Sequence, residues 1–175
     1  MLDSIKKLIK ELKESKEFKK FQDENPTAYL CNVCFLDNNW QPDYYEPEKD
    51  KITSFTKQDD EFISQESEIF RKEKTKIDEL NLNEVKIDLD KAEEIMKSKF
   101  KEEPSQKIIV LLKEKIPVWN ITYLTLRLEI INIKIDAISG KIIDEKIESA
   151  WNLVSPKTFE DVKKDLEEQK KKEKN

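Results

Sequence analysis

The sequence predicts an α+β fold, with helices packed on an antiparallel β-sheet. Three observations carry that expectation. Apolar residues recur at helical spacing twice, at Ile5, Leu8, Ile9 and Leu12 and again at Leu89, Ala92, Met96 and Phe100. Each helical stretch is followed by short apolar or alternating runs separated by turn residues, the pattern of hairpin-linked strands. A shift of 79 residues lays Trp40-x-x-x-Tyr44 over Trp119-x-x-x-Tyr123, which extends the expectation to two tandem lobes of similar order.

Residues 3–24 read as helix, opened by Asp3 or Ser4 as cap. Its apolar phase slips at Ser15-Lys16 and resumes at Phe18 and Phe21, so Ser15 caps a second segment after a kink. Asn25-Pro26 ends it, because a residue before proline avoids the α region. Strands are expected over 27–36, 40–46 and 51–57, with a further short one within 61–71. Residues 72–86 read as a connection. A helix follows over 88–100, capped by Asp88 or Asp90 and closed at Glu103-Pro104. The strongest strand signals then come at 107–112, 118–124 and 130–136, with a short fourth strand at 141–143. Ile147, Trp151 and Val154 suggest one more packed segment, and Ser155-Pro156 opens a charged terminal helix. The boundaries drawn are an N-terminal lobe at 1–72, a connection at 73–86, a second lobe at 87–154 and a charged tail at 155–175.

Composition removes much of the enzyme catalogue. The 175 residues hold 33 Lys and Arg against 38 Asp and Glu, a net charge of −5, with no histidine and one glycine. Without histidine there is no Ser-His-Asp or Cys-His machinery and no His-ligated metal. One glycine rules out a glycine-rich phosphate loop. Carboxylate-only hydrolysis needs a facing pair, and no spacing among the many Asp and Glu singles one out. The expectation is a protein that is not an enzyme and takes no cofactor or metal. A pI near 5.2 argues against nucleic acid as a partner. No apolar run is long enough to span a membrane, and the first residues form no signal segment, so the sequence predicts a cytoplasmic protein with no membrane partner.

Cys31 and Cys34 form a lone C-x-x-C. Half a zinc site or a redox pair is one reading. Zinc lacks its other ligands here, and the surroundings read as a strand, not the helix start that activates a thiolate. Two ordinary strand cysteines is the other reading. Residues 37–70 hold ten Asp and Glu against three Lys, so they form either an acidic surface for a basic partner or a solvated sheet face. Gly140 is read as the positive-φ residue of the hairpin after 130–136, and Asp136 as the side chain that bonds that turn's N–H groups. Both are assigned a structural role.

The second half also resembles a known family. Ile87-Asp88-Leu89-Asp90-Lys91-Ala92, Val118-Trp119-Asn120-Ile121-Thr122-Tyr123 and Ile133-Lys134-Ile135-Asp136-Ala137-Ile138-Ser139-Gly140-Lys141-Ile142 look like the helix opening, aromatic central strand and terminal hairpin of PepSY domains. Ser139 and Lys141 stand where that family usually has Thr and Glu. The resemblance covers residues 87–146 and implies PepSY-like or more broadly cystatin-like lobes. It also implies a non-enzymatic role in binding or restraining peptidases or peptides.

The functional expectation is therefore a protein- or peptide-binding regulatory module. Trp40, Tyr44 and Tyr45 are the candidate partner contacts, since aromatic residues dominate binding hot spots, and filling the core is the competing role for each. The alternative is a structural homodimer, joined through sheet edges or terminal helices, with no peptide ligand.

Overall fold

The computed structural model describes residues 1–36, 38–69 and 76–149. Helices α1 (Leu2–Glu14) and α2 (Lys16–Glu24) come first. Strands β1 (Tyr29–Leu36), β2 (Asn39–Glu46), β3 (Lys51–Gln58) and β4 (Glu61–Glu68) follow as a meander. Helix α3 (Leu89–Lys99) precedes a second meander of β5 (Pro104–Lys113), β6 (Pro117–Thr125), β7 (Glu129–Asp136) and β8 (Ile142–Ser149). The two meanders join through β1 and β5. The result is one eight-stranded antiparallel sheet in the order β4-β3-β2-β1-β5-β6-β7-β8.

The expected α+β class, helices packed on a sheet, is corrected by this architecture. Strands make up 47% of the described residues and helices 23%, so the fold is largely β. The physical reason lies in β4 and β8, Glu61–Glu68 and Ile142–Ser149, which are mostly polar and exposed. Side-chain periodicity barely marks such strands. Their backbone ladders to β3 and β7 hold them in place. The predicted terminal helix at 155–175, with Trp151 and Val154, lies outside the described residues.

Helix boundaries follow from local chemistry. Ser15 sits in extended backbone between α1 and α2, and its Oγ accepts the Phe18 N–H at 3.1 Å. The slip in apolar phase is thus a break between two helices. Asp88 caps α3, with Oδ1 accepting the Leu89 N–H at 2.6 Å. The same oxygen accepts the Leu2 N–H at 3.0 Å from a residue 86 positions away, so one carboxylate satisfies donors at the starts of two helices. Burial works against its charge. Hydrogen bonds from the Met1 amino group, Leu2 and Leu89 outweigh that and hold the carboxyl below its ordinary value. Asp88→Ala is expected to lower stability by about 1–2 kcal/mol, the upper end for a lost cap. Urea unfolding checks it, and a loss near zero would mean that water replaces both bonds.

The helices lie on one face of the sheet. Ile5 and Ile9 of α1 and Leu89, Ala92 and Met96 of α3 pack with Val33, Ile109, Leu111, Trp119, Ile121 and Ile133 into the main core. This core draws on both meanders. Trp119 is fully buried, and its Nε1–H donates to the Ile87 carbonyl at 2.8 Å. A second, aromatic cluster joins α2 to β2 and β3 through Phe18, Phe21, Tyr44 and Phe55. At the β7–β8 turn, Gly140 has φ +76°, and Asp136 Oδ1 accepts the N–H groups of Ile138 at 2.7 Å and Ser139 at 3.2 Å.

Candidate functional site: a free strand edge

β5 is longer than its neighbour on one side. Its pairing with β6 runs from Pro104↔Thr125 to Lys113↔Pro117. Its pairing with β1 covers only Phe35↔Ile109 to Asn32↔Leu112. β1 stops because Leu36 pairs with Asn39 across a two-residue loop, where Asn38 takes φ +62°. Residues 104–108 therefore have β6 on one side and, among the described residues, no strand on the other. The equivalent gap beyond the other end of the β1–β5 pairing is filled. There the Leu80 N–H donates to the Leu30 carbonyl at 2.8 Å, and the Tyr29 hydroxyl donates to the Ile77 carbonyl at 2.7 Å.

The ladder's phase identifies which backbone groups face the gap. The Glu114 N–H donates to the Ile116 carbonyl at 3.1 Å, which makes the even-numbered β5 residues the hydrogen-bonded partners of β6. Odd-numbered residues point the other way. Ile109 and Leu111 meet β1, whereas Lys107 directs its N–H and C=O along the free edge.

A groove of about 390 Å³ runs beside this edge. Phe35 and Leu36 close the end formed by β1, and Glu93 and Lys97 of α3 form a wall. The Lys107 Nζ donates to Glu93 at 2.8 Å and lies 5.4 Å from the Phe35 ring centre. Tyr123 is 1% exposed at the base. Burial, then the charges of Glu93 and Glu103, push its hydroxyl up to about 12. It stays protonated and offers no acid–base chemistry near neutral pH.

The predicted aromatic contacts are not gathered at one place. Trp40 is half-buried opposite Phe35, ring centres 5.0 Å apart, so it backs the Phe35 wall of the groove. Tyr44 is 3% exposed within the aromatic cluster of α2 and β3. Tyr45 is 7% exposed on the opposite sheet face, 5.7 Å from Tyr29, with its hydroxyl donating to Asp50 at 2.8 Å. Sequence reasoning missed Phe35, Leu36 and the 104–108 edge. The one available signal was Glu103-Pro104, read as the end of a helix and found as the start of a long strand.

Cys31 sits at a bulge in β1, between Leu30 and Asn32, 3% exposed. Its thiol donates to the Asp43 carbonyl at 3.3 Å. Burial, with the nearby Asp43 charge, pushes Cys31 up to about 12 and Cys34 to about 11, so neither is a thiolate at neutral pH. They are free thiols. Among the described residues, no group of three or more His, Cys, Asp or Glu is placed to hold a metal ion.

No family model and no curated protein matches the chain. The crystal structure of a "putative lipoprotein" from Clostridium difficile 630 does match. The match has a TM-score of 0.52 and 13% identity, and it covers 75% of this chain and 90% of that one. At that identity the likeness shows a shared fold alone. No helix among the described residues is long and apolar enough to cross a membrane. The finer expectation, a cytoplasmic protein, conflicts with the neighbour's description and is withdrawn.

Proposed function

We propose that the chain is a non-enzymatic protein- or peptide-binding module resembling PepSY domains. An extended segment of the partner adds as a strand to residues 104–108. The observation that carries this reading is the edge at Lys107, which meets no strand among the described residues, interrupts an otherwise continuous pairing and is flanked by a groove. Main-chain bonds to such an edge supply affinity, and the flanking side chains select alternate residues of the incoming strand. Phe35 and Leu36 offer apolar contact at one end, and Lys97 and Glu103 offer charges of both signs. The Tyr123, Cys31 and Cys34 protons stay in place at neutral pH, which favours binding over proton transfer. Restraint of a peptidase is the finer form of the proposal, and it rests on the family resemblance.

Affinity capture from lysate of the protein's own source, comparing the intact protein with Lys107→Pro and Lys107→Ala, tests this. Proline removes the edge N–H while leaving the β6 ladder whole. Loss of even one main-chain bond and its geometry is expected to weaken the partner by roughly tenfold or more, while Lys107→Ala keeps it within about threefold. Equal retention by both variants, with both folded, would remove β5 as the binding edge.

A further inference from the structure

Helix α1 carries a row of lysines beside its buried face. Ile5, Ile9 and Leu12 pack inward, and Lys6, Lys10 and Lys13 follow at helical spacing along the flank next to Ile9. A groove of about 340 Å³ separates this flank from the turn at 81–84. Ile9 and Leu82 supply its apolar lining, and all three lysines line it against one acid, Glu14. None of the three makes an ion pair among the described residues, whereas Lys7 meets Glu11 at 3.8 Å and Lys113 meets Glu84 at 2.8 Å. Glu14 follows Lys10 by four positions, the poorer order for such a pair on a helix. An adjoining hollow of about 640 Å³ shares Ile9, Lys13 and Leu82. Its acids Asp78 and Glu84 are already paired with Lys76 and Lys113, and Glu79 lies on the wall opposite α1.

We infer that this flank is a docking surface for an acidic amphipathic helix of a partner protein. Its carboxylates face Lys6, Lys10 and Lys13, and an apolar side chain enters between Ile9 and Leu82. Charge is the first reason. Lysines three and four positions apart on a helix repel one another, and acids laid opposite them relieve that repulsion. The chain as a whole carries −5, so this row is a local reversal of its charge. At physiological salt the screening length is about 8 Å, so the lysines at the groove outweigh the distant acids. Glu79 on the far wall fixes the orientation, with the occupant's acids turned toward α1.

Backbone chemistry is the second reason, and it selects a helix over an extended chain. An extended peptide needs a strand edge to receive its N–H and C=O groups. This groove offers none. The backbone of α1 is bonded within the helix, and across the groove the Glu84 N–H donates to the Asn81 carbonyl at 3.1 Å and the Asn83 N–H to the Asn81 side chain at 3.0 Å. A helix satisfies its own backbone and brings only side chains. Lys6 and Lys13 are about 10 Å apart along the axis, and a helix laid alongside has the same rise. Acids at i, i+4 and i+7 therefore meet the three lysines in turn, with an apolar residue at i+3 beside them.

Fluorescence anisotropy at physiological salt tests the inference on the full chain. The probe is a fluorescein-tagged alanine–glutamine helix carrying Glu at i, i+4 and i+7 and Leu at i+3. Saturable binding to wild type is expected. Lys6→Gln, Lys10→Gln and Lys13→Gln together are expected to weaken it about tenfold or more. Lys16→Gln, Lys19→Gln and Lys20→Gln remove as many exposed charges from α2, outside this groove, and are expected to keep affinity within about threefold. Leu82→Ala is expected to weaken the probe roughly fivefold through lost apolar contact. Circular dichroism confirms that each variant is folded. No binding by wild type, or equal losses in the two triple variants, would overturn the proposal. A probe of the same composition broken by proline that binds as well would show that the occupant is not a helix. Phosphatidylglycerol vesicles bound through the same three lysines, with the peptide ignored, would assign the flank to a lipid surface and overturn it too. Self-association that disappears with those lysines would do so in favour of a second copy. Lys107→Pro lies outside this groove and should leave probe binding unchanged, so this inference and the β5 edge can fail separately.

Discussion

Replacing Trp119 by alanine is expected to cost about 3–5 kcal/mol, a large part of the roughly 5–15 kcal/mol that holds a domain of this kind folded. Trp119 is fully buried where both meanders and α3 meet. Its ring packs in the main core, and its Nε1–H satisfies the Ile87 carbonyl just ahead of α3. Alanine leaves a cavity and strands that carbonyl. Phenylalanine separates the two effects, since it keeps most of the packing and removes only the donor. Trp119→Phe is expected to lose about 1–3 kcal/mol, the desolvation penalty of one unpaired buried group plus the ring's difference in size. Urea unfolding of the three proteins measures both. A loss below about 2 kcal/mol for alanine would show that the core around β6 refills, against the close packing expected of a protein interior.

The second large effect runs the other way. Asp43 lies in β2 between Asn32 of β1 and Ser54 of β3, on the face away from the helices. Its Oδ1 is shut from solvent and has no hydrogen-bond partner, as is the Oδ1 of Asn32. Burial pushes its carboxyl up to about 6, only partly offset by hydrogen bonds from Ser54 and Asn32. An acid whose folded pKa lies above its unfolded value binds its proton more tightly when folded. It therefore stabilises the fold most at low pH, and that contribution disappears as pH rises from about 4 through 6. The gap between about 6 and the ordinary value near 4 corresponds to at most ~3 kcal/mol. Asp43→Asn carries no charge to bury, and its amide can donate toward Asn32. At pH 8 it is expected to be more stable than wild type by about 2 kcal/mol, with the advantage gone by about pH 4. Asp88 and Asp136, held below the ordinary value, lose stability as pH falls in both proteins and cancel in the difference. A difference that does not change with pH would mean that Asp43 is solvated.

Much of the local structure was legible in advance, and the reasons are specific. Ile5, Leu8, Ile9 and Leu12 mark α1 because one helix face must be apolar, and the phase slip at Ser15 marks the break before α2. Ile131, Ile133 and Ile135 mark β7 because alternate residues of a half-buried strand face the core. The extent of β8 was not legible. A short strand at 141–143 was expected where Ile142–Ser149 is found, since a strand exposed on both faces carries no side-chain period. The three aromatic candidates show the same limit. Trp40, Tyr44 and Tyr45 are close in sequence, yet strand alternation sends Tyr45 to one face of the sheet and Trp40 and Tyr44 to the other.

The sequence by itself determined that no histidine is on hand for chemistry, where most helices and strands begin, and which residues of each face inward. Those properties depend on residue type and near neighbours. Tertiary structure alone decided that the two meanders share one sheet, that the β1–β5 pairing ends five residues short of the start of β5, and that the outward backbone groups of Lys107 meet no strand among the described residues. Strand pairing is made by backbone groups common to every residue, between positions as distant as Phe35 and Ile109. No local pattern of side chains records which edge meets which, or where a ladder runs out.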